Sequence, residues 1–240
     1  WPSWGFSEFG TFWVRQFGGE FLDDVGKTVL IDSANARAGL EFVHATQSKH
    51  QVIDDLFRQV QGAPLGLGGN RGLFALGKLA MHATTPGLVA EYRKPNTEEV
   101  KFPVGIALFP KHPSGRRGTQ ASGSGMGIAN NKNEAAAWEY VKFATNKLNG
   151  IEQVFGGAGS PGGRTDVWTD PKLLAFDPIF NIIIKAFPQG AGSLRLAANN
   201  RYAQAVKAVN DELTPYFRNE ISLQDATSKA VQAGNTELKA

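Results

Sequence analysis

His44, His50, His82 and His112 are the only imidazoles in this 240-residue chain, and none pairs with another at the spacing that sets two zinc ligands on one helix face. There is no HExxH stretch and no cysteine, so thiolate metal centres and disulfides are excluded. His82 lies in an apolar run and reads as a hydrogen-bonded interior or edge residue rather than a catalyst. Gly157, Gly159 and Gly162 stand at the spacing of the dinucleotide fingerprint, but Pro161 sits inside it and a helix precedes it where a strand is required. No Walker A lysine motif occurs, and no serine carries glycines two before and two after it, so a nucleophile elbow is absent. Asp23-Asp24 and Asp54-Asp55 are adjacent carboxylates whose side chains point apart. A glycosidase needs two carboxylates across a cleft; no pair is singled out, and a carbohydrate-active hydrolase stays open as the alternative reading. What remains is recognition chemistry in five loops, 4–9, 84–87, 122–127, 156–164 and 199–202, where small residues let backbone amides approach a ligand and aromatics offer it apolar faces. No cofactor is implied.

The elements that must carry these loops are mainly helices. Phe6, Phe9, Trp13 and Phe17 recur at helical spacing. Residues 21–31 read as a hairpin-like excursion, after which Asp32 or Ser33 caps a helix with Ala36, Leu40 and Val43 as its buried stripe. A further helical piece is expected at 52–60. Residues 73–88, LFALGKLAMHATTPGL, combine a helix end, a glycine stop at Gly77, a strand at 79–83 and a new helix start at Thr84 to Gly87. Strands are also expected at 102–110 and 120–129. Residues 132–147 form a strong helix with Ala137, Val141, Ala144 and Leu148 on one side, and 149–155 a short one. Asp170 caps a turn at Pro171, and 178–187 form a buried helix. Residues 200–217 are amphipathic through Tyr202, Val206, Val209 and Leu213, and Ser222 opens the last helix with Asp225 three residues on. Helices separating short strands indicate an α/β fold.

The composition, 42% hydrophobic and 20% charged, is that of an ordinary globular protein with room for one large or two small cores. The net charge of +3 comes from dispersed lysines and arginines, with only Arg116 and Arg117 adjacent, which argues against a nucleic-acid footprint. No apolar run approaches the ~20 residues of a membrane span.

In order along the chain, Gly18-Gly19 with Asp24 to Lys27, DSANARAGLEF (32–42), FALGKLAM (74–81), EAAAWEYVKFAT (134–145), the glycine loop 156–164 and the tail 221–238 resemble the bacterial extracellular solute-binding proteins of ABC importers, in the maltose-binding-like, sugar-binding group. The ordered series covers essentially the whole chain. The resemblance implies a periplasmic-binding-protein-like clamp of two α/β lobes. The second lobe would be nearly complete in 1–121 and 188–240, and 122–187 would return to a first lobe whose opening βαβ units precede Trp1. It implies capture of a carbohydrate-like solute outside the cytoplasmic membrane, periplasmic or on the extracellular face with a lipid anchor as one means of attachment. Delivery would be to ABC permease subunits, by a protein that is monomeric at full length, is not an enzyme and takes no nucleic-acid partner. The cleft residues it implies are Trp4, Phe6, Glu8, Thr84, Thr85, Gly87, Ser122, Gly123, Ser124, Arg164, Arg201 and Tyr202. Gly87 stands where family members often stack an aromatic on a sugar ring, and Arg201 stands at another such aromatic position. Arg201, helped by Arg164, could therefore pair with a carboxylate or sulfate, which leaves an acidic sugar open beside a neutral one.

Overall fold

The computed structural model describes residues 10–52, 69–82, 92, 100, 102–118, 125–129, 132–155, 162–177, 179–185 and 200–240. The expected helical piece at 52–60 and the turn at Thr84 to Gly87 lie outside them, apart from residue 52. By its internal contacts the chain divides into two compact units: Trp1–Gln59, Phe109–Ala121 and Gln189–Ala240 form one, Val60–Leu108 and Ser122–Pro188 the other.

The first unit is built from both ends of the chain. Helices α1 (Gly10–Gln16) and α2 (Ala34–Ser48) pack together. α2 begins where expected, because the Ser33 hydroxyl accepts the Ala36 amide at 3.3 Å and so satisfies one of the helix's orphan donors. Its buried stripe is Ala36, Gly39, Leu40 and Val43. Gly39 is there for space: a Cβ on it would stand 2.8 Å from the Val14 Cα and 3.0 Å from the Trp13 carbonyl oxygen, so α1 crosses α2 at this point with backbone against helix. The aromatic face expected on α1 is put to use. Trp13 meets Phe42 and Phe109 at ring separations of 5.2 and 5.7 Å, and Phe17 meets Phe42 and His112 at 5.5 and 4.6 Å; Phe6 and Phe9 lie outside the described residues.

Between these helices the chain doubles back, with Leu22 and Val29 paired in an antiparallel bridge. The turn closes on Asp23, whose carboxylate accepts the Lys27 amide at 2.7 Å and the Thr28 amide at 3.3 Å. Those amides hold the Asp23 carboxyl below the ordinary carboxylate range, the Lys27 bond being the largest cause.

For α3 we take Gly69–Ala75, in the second unit. It ends in the glycine stop read from the sequence. Gly77 has φ +69°, the Lys78 amide donates to the Leu73 carbonyl at 2.8 Å, and the Gly77 amide donates to the Phe74 carbonyl at 2.9 Å, which is the paired signature of a Schellman cap. Then come α4 (Glu134–Ala144), α5 (Lys147–Phe155), α6 (Thr165–Trp168), α7 (Pro171–Phe176) and α8 (Ile179–Ile184). Ile151, Val154, Val167, Leu173, Phe180 and Ile183 make this unit's core. Asp170 caps α7 by accepting the Lys172 amide at 2.9 Å, with Pro171 in the first turn, and pairs with the Lys147 ammonium at 2.6 Å.

Three strand expectations are corrected. Among the described residues of 79–83, 102–110 and 120–129 no strand forms, and the only bridge among described residues is that of Leu22 with Val29. The physical reason is visible in 102–108, where half-buried and exposed residues alternate from Phe102 to Leu108. The sequence specified extended backbone with period-two burial, but a strand also needs a neighbour to bond with, and alternation does not supply one. The helix expected through 132–147 breaks at Thr145, because the Asn146 side chain accepts the Asn149 amide at 2.7 Å and starts α5 anew. Leu148 therefore leaves the side it was expected to share with Ala137, Val141 and Ala144, and is exposed.

The last two helices return to the first unit. α9 (Tyr202–Phe217) buries Ala205, Val209, Leu213, Tyr216 and Phe217, and α10 (Leu223–Lys239) packs along it. Ser222 opens α10 as the spacing foretold, its hydroxyl accepting the Asp225 amide at 3.1 Å. Three side chains of α10 reach far back in sequence: Asn235 Oδ1 accepts the Val29 amide at 2.8 Å, the buried Thr227 hydroxyl donates to the Asp32 carboxylate, and Gln224 Oε1 accepts from the Arg37 guanidinium at 2.5 Å. Burial, with the Glu41 carboxylate as the second cause, pushes the Tyr216 phenol up to about 12. An unfolded tyrosine ionises near pH ~10. The stability gained by keeping Tyr216 neutral is therefore whole below that pH and is lost as pH rises toward the folded value. In a phenolate absorbance titration, one of the four tyrosines should ionise only near pH 12, and Tyr216→Phe should remove that late step; a Tyr216 step near pH ~10 would contradict the burial argument.

No helix among the described residues is long and apolar enough to cross a membrane.

Candidate functional site

Of the twelve cleft residues expected from the sequence, Arg164, Arg201 and Tyr202 are described. Trp4, Phe6, Glu8, Thr84, Thr85, Gly87, Ser122, Gly123 and Ser124 lie outside the described residues. The three that are described belong to two different units, Arg164 to the second and Arg201 with Tyr202 to the first.

Arg201 occupies the N-cap position of α9, directly before Tyr202, so the helix start determines where its side chain leaves the backbone. Its guanidinium pairs with the Glu237 carboxylate on α10, each side chain about one-third exposed. The pair ties the first turn of α9 to the last turns of α10. Tyr202 sits half-buried against the core, its ring edge-on to Phe21 at 5.9 Å. One aromatic edge is thereby committed to packing. Arg164 occupies the N-cap position of α6 and makes a two-pronged contact with Asp166, Nε to Oδ1 at 2.9 Å and Nη2 to Oδ2 at 2.8 Å. Hydrogen bonding to Arg164 is the largest cause holding the Asp166 carboxyl below its ordinary range, and the same bond raises Arg164. Both side chains are half-exposed, so their mutual attraction is screened by water. Just before this pair, Gly162 has φ +76° and its carbonyl accepts the Trp168 indole N–H at 2.8 Å, which pins the end of the glycine loop to α6.

Each guanidinium thus already faces a carboxylate. The sequence held a local clue to one of these pairs, since Asp166 stands two residues after Arg164 at a helix start. It held no clue to the other, because Glu237 reaches Arg201 only through the packing of α10 on α9.

The histidines do not converge. His44 Nε2 lies 2.9 Å from Asn219 Oδ1, with the ring 4.5 Å from Tyr216. His82 Nδ1 lies 3.0 Å from the Tyr92 hydroxyl, as expected of a hydrogen-bonded, half-buried residue. His112 Nδ1 lies 2.8 Å from the Ser114 hydroxyl. Among the described residues no three metal-binding side chains gather. What these groups can do chemically is hydrogen-bond and pair charge reversibly.

No protein-family model and no curated protein matches the chain. Solved structures do. A maltose-bound MalE3 of T. maritima is 22% identical, with 95% of this chain and 55% of that one covered at a TM-score of 0.68. UgpB from Mycobacterium tuberculosis, in complex with glycerophosphocholine, is 16% identical, with 95% and 54% covered at 0.73. The ABC substrate-binding protein Lmo0181 from Listeria monocytogenes, in complex with cycloalternan, is 12% identical, with 99% and 57% covered at 0.73. These neighbours are binding proteins rather than enzymes. The chain has the fold of the two-lobe solute-binding proteins of ABC importers, and it spans about 55% of the length of these neighbours.

Proposed function

We propose, from a chain that shares the fold of two-lobe solute-binding proteins over about 55% of their length, that it is part of the substrate-binding component of an ABC importer for a carbohydrate-like solute. The observation that carries the reading is the match of nearly the whole chain, 95 to 99%, to neighbours that bind maltose, glycerophosphocholine and cycloalternan. The fold class agrees with the resemblance already found in the ordered motifs. In this reading 1–121 and 188–240 supply most of one lobe and 122–187 part of the other. The solute is bound reversibly, between aromatic faces, backbone amides and a few polar side chains, outside the cytoplasmic membrane. Permease subunits are the partner, and the complete protein is a monomer with no catalytic step. The hydrolase alternative gains nothing from these neighbours.

A neutral sugar is favoured over an acidic one, because Arg201 and Arg164 each already face a carboxylate. An anionic ligand would have to displace Glu237 or Asp166, or share the guanidinium with it. Calorimetry on the protein at two-lobe length, with maltose, maltotriose and a uronic acid as titrants, tests both points. Binding of a neutral oligosaccharide that survives Arg201→Ala is the expected result. A uronic acid bound in preference, with the affinity lost in Arg201→Ala, would establish the acidic reading. No binding to any carbohydrate would overturn the assignment.

A further inference from the structure

The loop 109–118, FPKHPSGRRG, holds three cations, Lys111, Arg116 and Arg117, and no acidic residue. Lys111 and Arg116 are exposed, and neither pairs with a carboxylate. Exposed lysines elsewhere, such as Lys142 and Lys207, meet Glu139 and Asp211 one helical turn away. The elements beside the loop supply no such answer. Helix α1 has no acidic residue, and α2 has one, Glu41, whose carboxylate helps to raise the Tyr216 phenol and so lies on the α9 side of α2. Glu20 is taken by Arg15 at 3.1 Å. The loop is also tied down along its length. The His112 amide donates to the Arg116 carbonyl at 2.9 Å and the Gly115 amide to the His112 carbonyl at 2.7 Å, with Gly115 at φ +84°. Gln16 Nε2 donates to the Pro110 carbonyl at 3.2 Å, and the Arg117 guanidinium to that of Phe109. Cations held in place this way lose little freedom when a partner meets them.

Next to the loop runs an unbroken chain of rings, Phe109, Trp13, Phe42, Phe17 and His112, each 4.6 to 5.7 Å from the next. Phe42 is 41% exposed, and Trp13, Phe17 and His112 are half-buried. Arg116 stands at the end of this chain: a Cβ on Gly18, the residue after Phe17, would lie 3.5 Å from its Nη1. Accessible aromatic rings beside an arginine have the composition of an interface core rather than of ordinary surface. We infer that this face of the first unit, loop 109–118 with Phe17 and Phe42, docks a protein partner that presents carboxylates to Lys111 and Arg116 and an apolar side chain to the two rings. The occupant follows from charge complementarity, since a guanidinium and an ammonium without carboxylates of their own are suited to a partner that brings them. A bilayer fits less well. The exposed tip of the loop is Pro113, Ser114 and Gly115, with no large apolar side chain to enter lipid, and the rings lie along α1 and α2 instead of projecting from them. The inference holds whatever solute the protein carries.

The test uses the 240-residue chain and short labelled peptides followed by fluorescence anisotropy. One peptide is built from Glu and Leu, a second has Gln for every Glu, and a third has Ser for every Leu. The Glu/Leu peptide is expected to bind at least ~10-fold more tightly than either of the others, with an advantage that shrinks as salt is added. Lys111→Glu combined with Arg116→Glu should remove that advantage. Lys49→Glu combined with Lys229→Glu, at two exposed cations elsewhere in the same unit, changes the net charge equally and should leave it. Arg116→Gln alone replaces the loop pair if its helical circular dichroism is lost. Equal affinity for the three peptides overturns the proposal, as does no binding of any. An equal loss in both pairs of variants also overturns it, because net charge alone would then be the attraction. Sedimentation with phosphatidylglycerol vesicles but not phosphatidylcholine ones, lost in the loop variant and without the peptide preference, overturns it in favour of a membrane surface.

Discussion

Gly39→Val is expected to destabilise the first unit by about 3 kcal/mol, at the upper end of the cost of overpacking. The usual argument runs the other way. A glycine inside a helix costs roughly 0.5–1 kcal/mol relative to alanine, so filling it should help. Here the first added atom would lie 2.8 Å from the Val14 Cα, 3.0 Å from the Trp13 carbonyl oxygen and 3.1 Å from the Val14 nitrogen. All three are backbone, so no rotamer change makes room, and α1 has to move off α2. Retreat of α1 draws Val14 out of the core and disturbs the Trp13 contacts with Phe42 and Phe109. Even Gly39→Ala should lower the urea midpoint despite its gain in helix propensity. A midpoint raised by Gly39→Ala would show that α1 is free to shift.

Leu213→Ala carries the second large effect, about 3–4 kcal/mol. Leu213 is 1% exposed on α9, inside the cluster that joins α2, the hairpin, α9 and α10. Truncation loses the transfer energy of the removed carbons and leaves a void between helices that are fixed from both sides. The chain has two compact units, so a single global midpoint would mix them. Amide exchange resolved by peptide is the suitable readout. Faster exchange in 202–240 and 34–48 is expected, with 147–184 unchanged. Uniform acceleration across both groups would mean that the units unfold as one.

These expectations draw on features of different legibility in the sequence. The cap at Ser33, the stripe of Ala36, Leu40 and Val43, the stop at Gly77 and the start at Ser222 were all readable, because each is decided within one or two helical turns. Gly39 was not recognised as a crossing point, since its reason lies on α1, more than twenty residues earlier. Among the described residues of 79–83, 102–110 and 120–129 the expected strands do not form for a related reason: alternation is local, whereas a ladder requires a partner. The break between α4 and α5 turned on a single side chain, Asn146, whose capping competes with a helical pattern that would otherwise run through it. For the candidate site, the sequence identified Arg164 and Arg201 as the cations to consider but not the Glu237 carboxylate that meets Arg201. Local pattern reveals which side chains can do chemistry; tertiary packing decides which of them are already engaged.

The bonds from α10 back to the hairpin have a consequence for the order in which the molecule is made. Val29 and Asn235 are 206 residues apart, and Asp32 and Thr227 are 195 apart. Bringing ends that distant together costs about 2 kcal/mol more in loop entropy than closing a 20-residue loop. Contacts of such range also slow folding. During synthesis the hairpin leaves the ribosome before α10 and waits, its core incomplete, until that helix arrives to seal it. A product cut short of Asn235 would lose the acceptor for the Val29 amide.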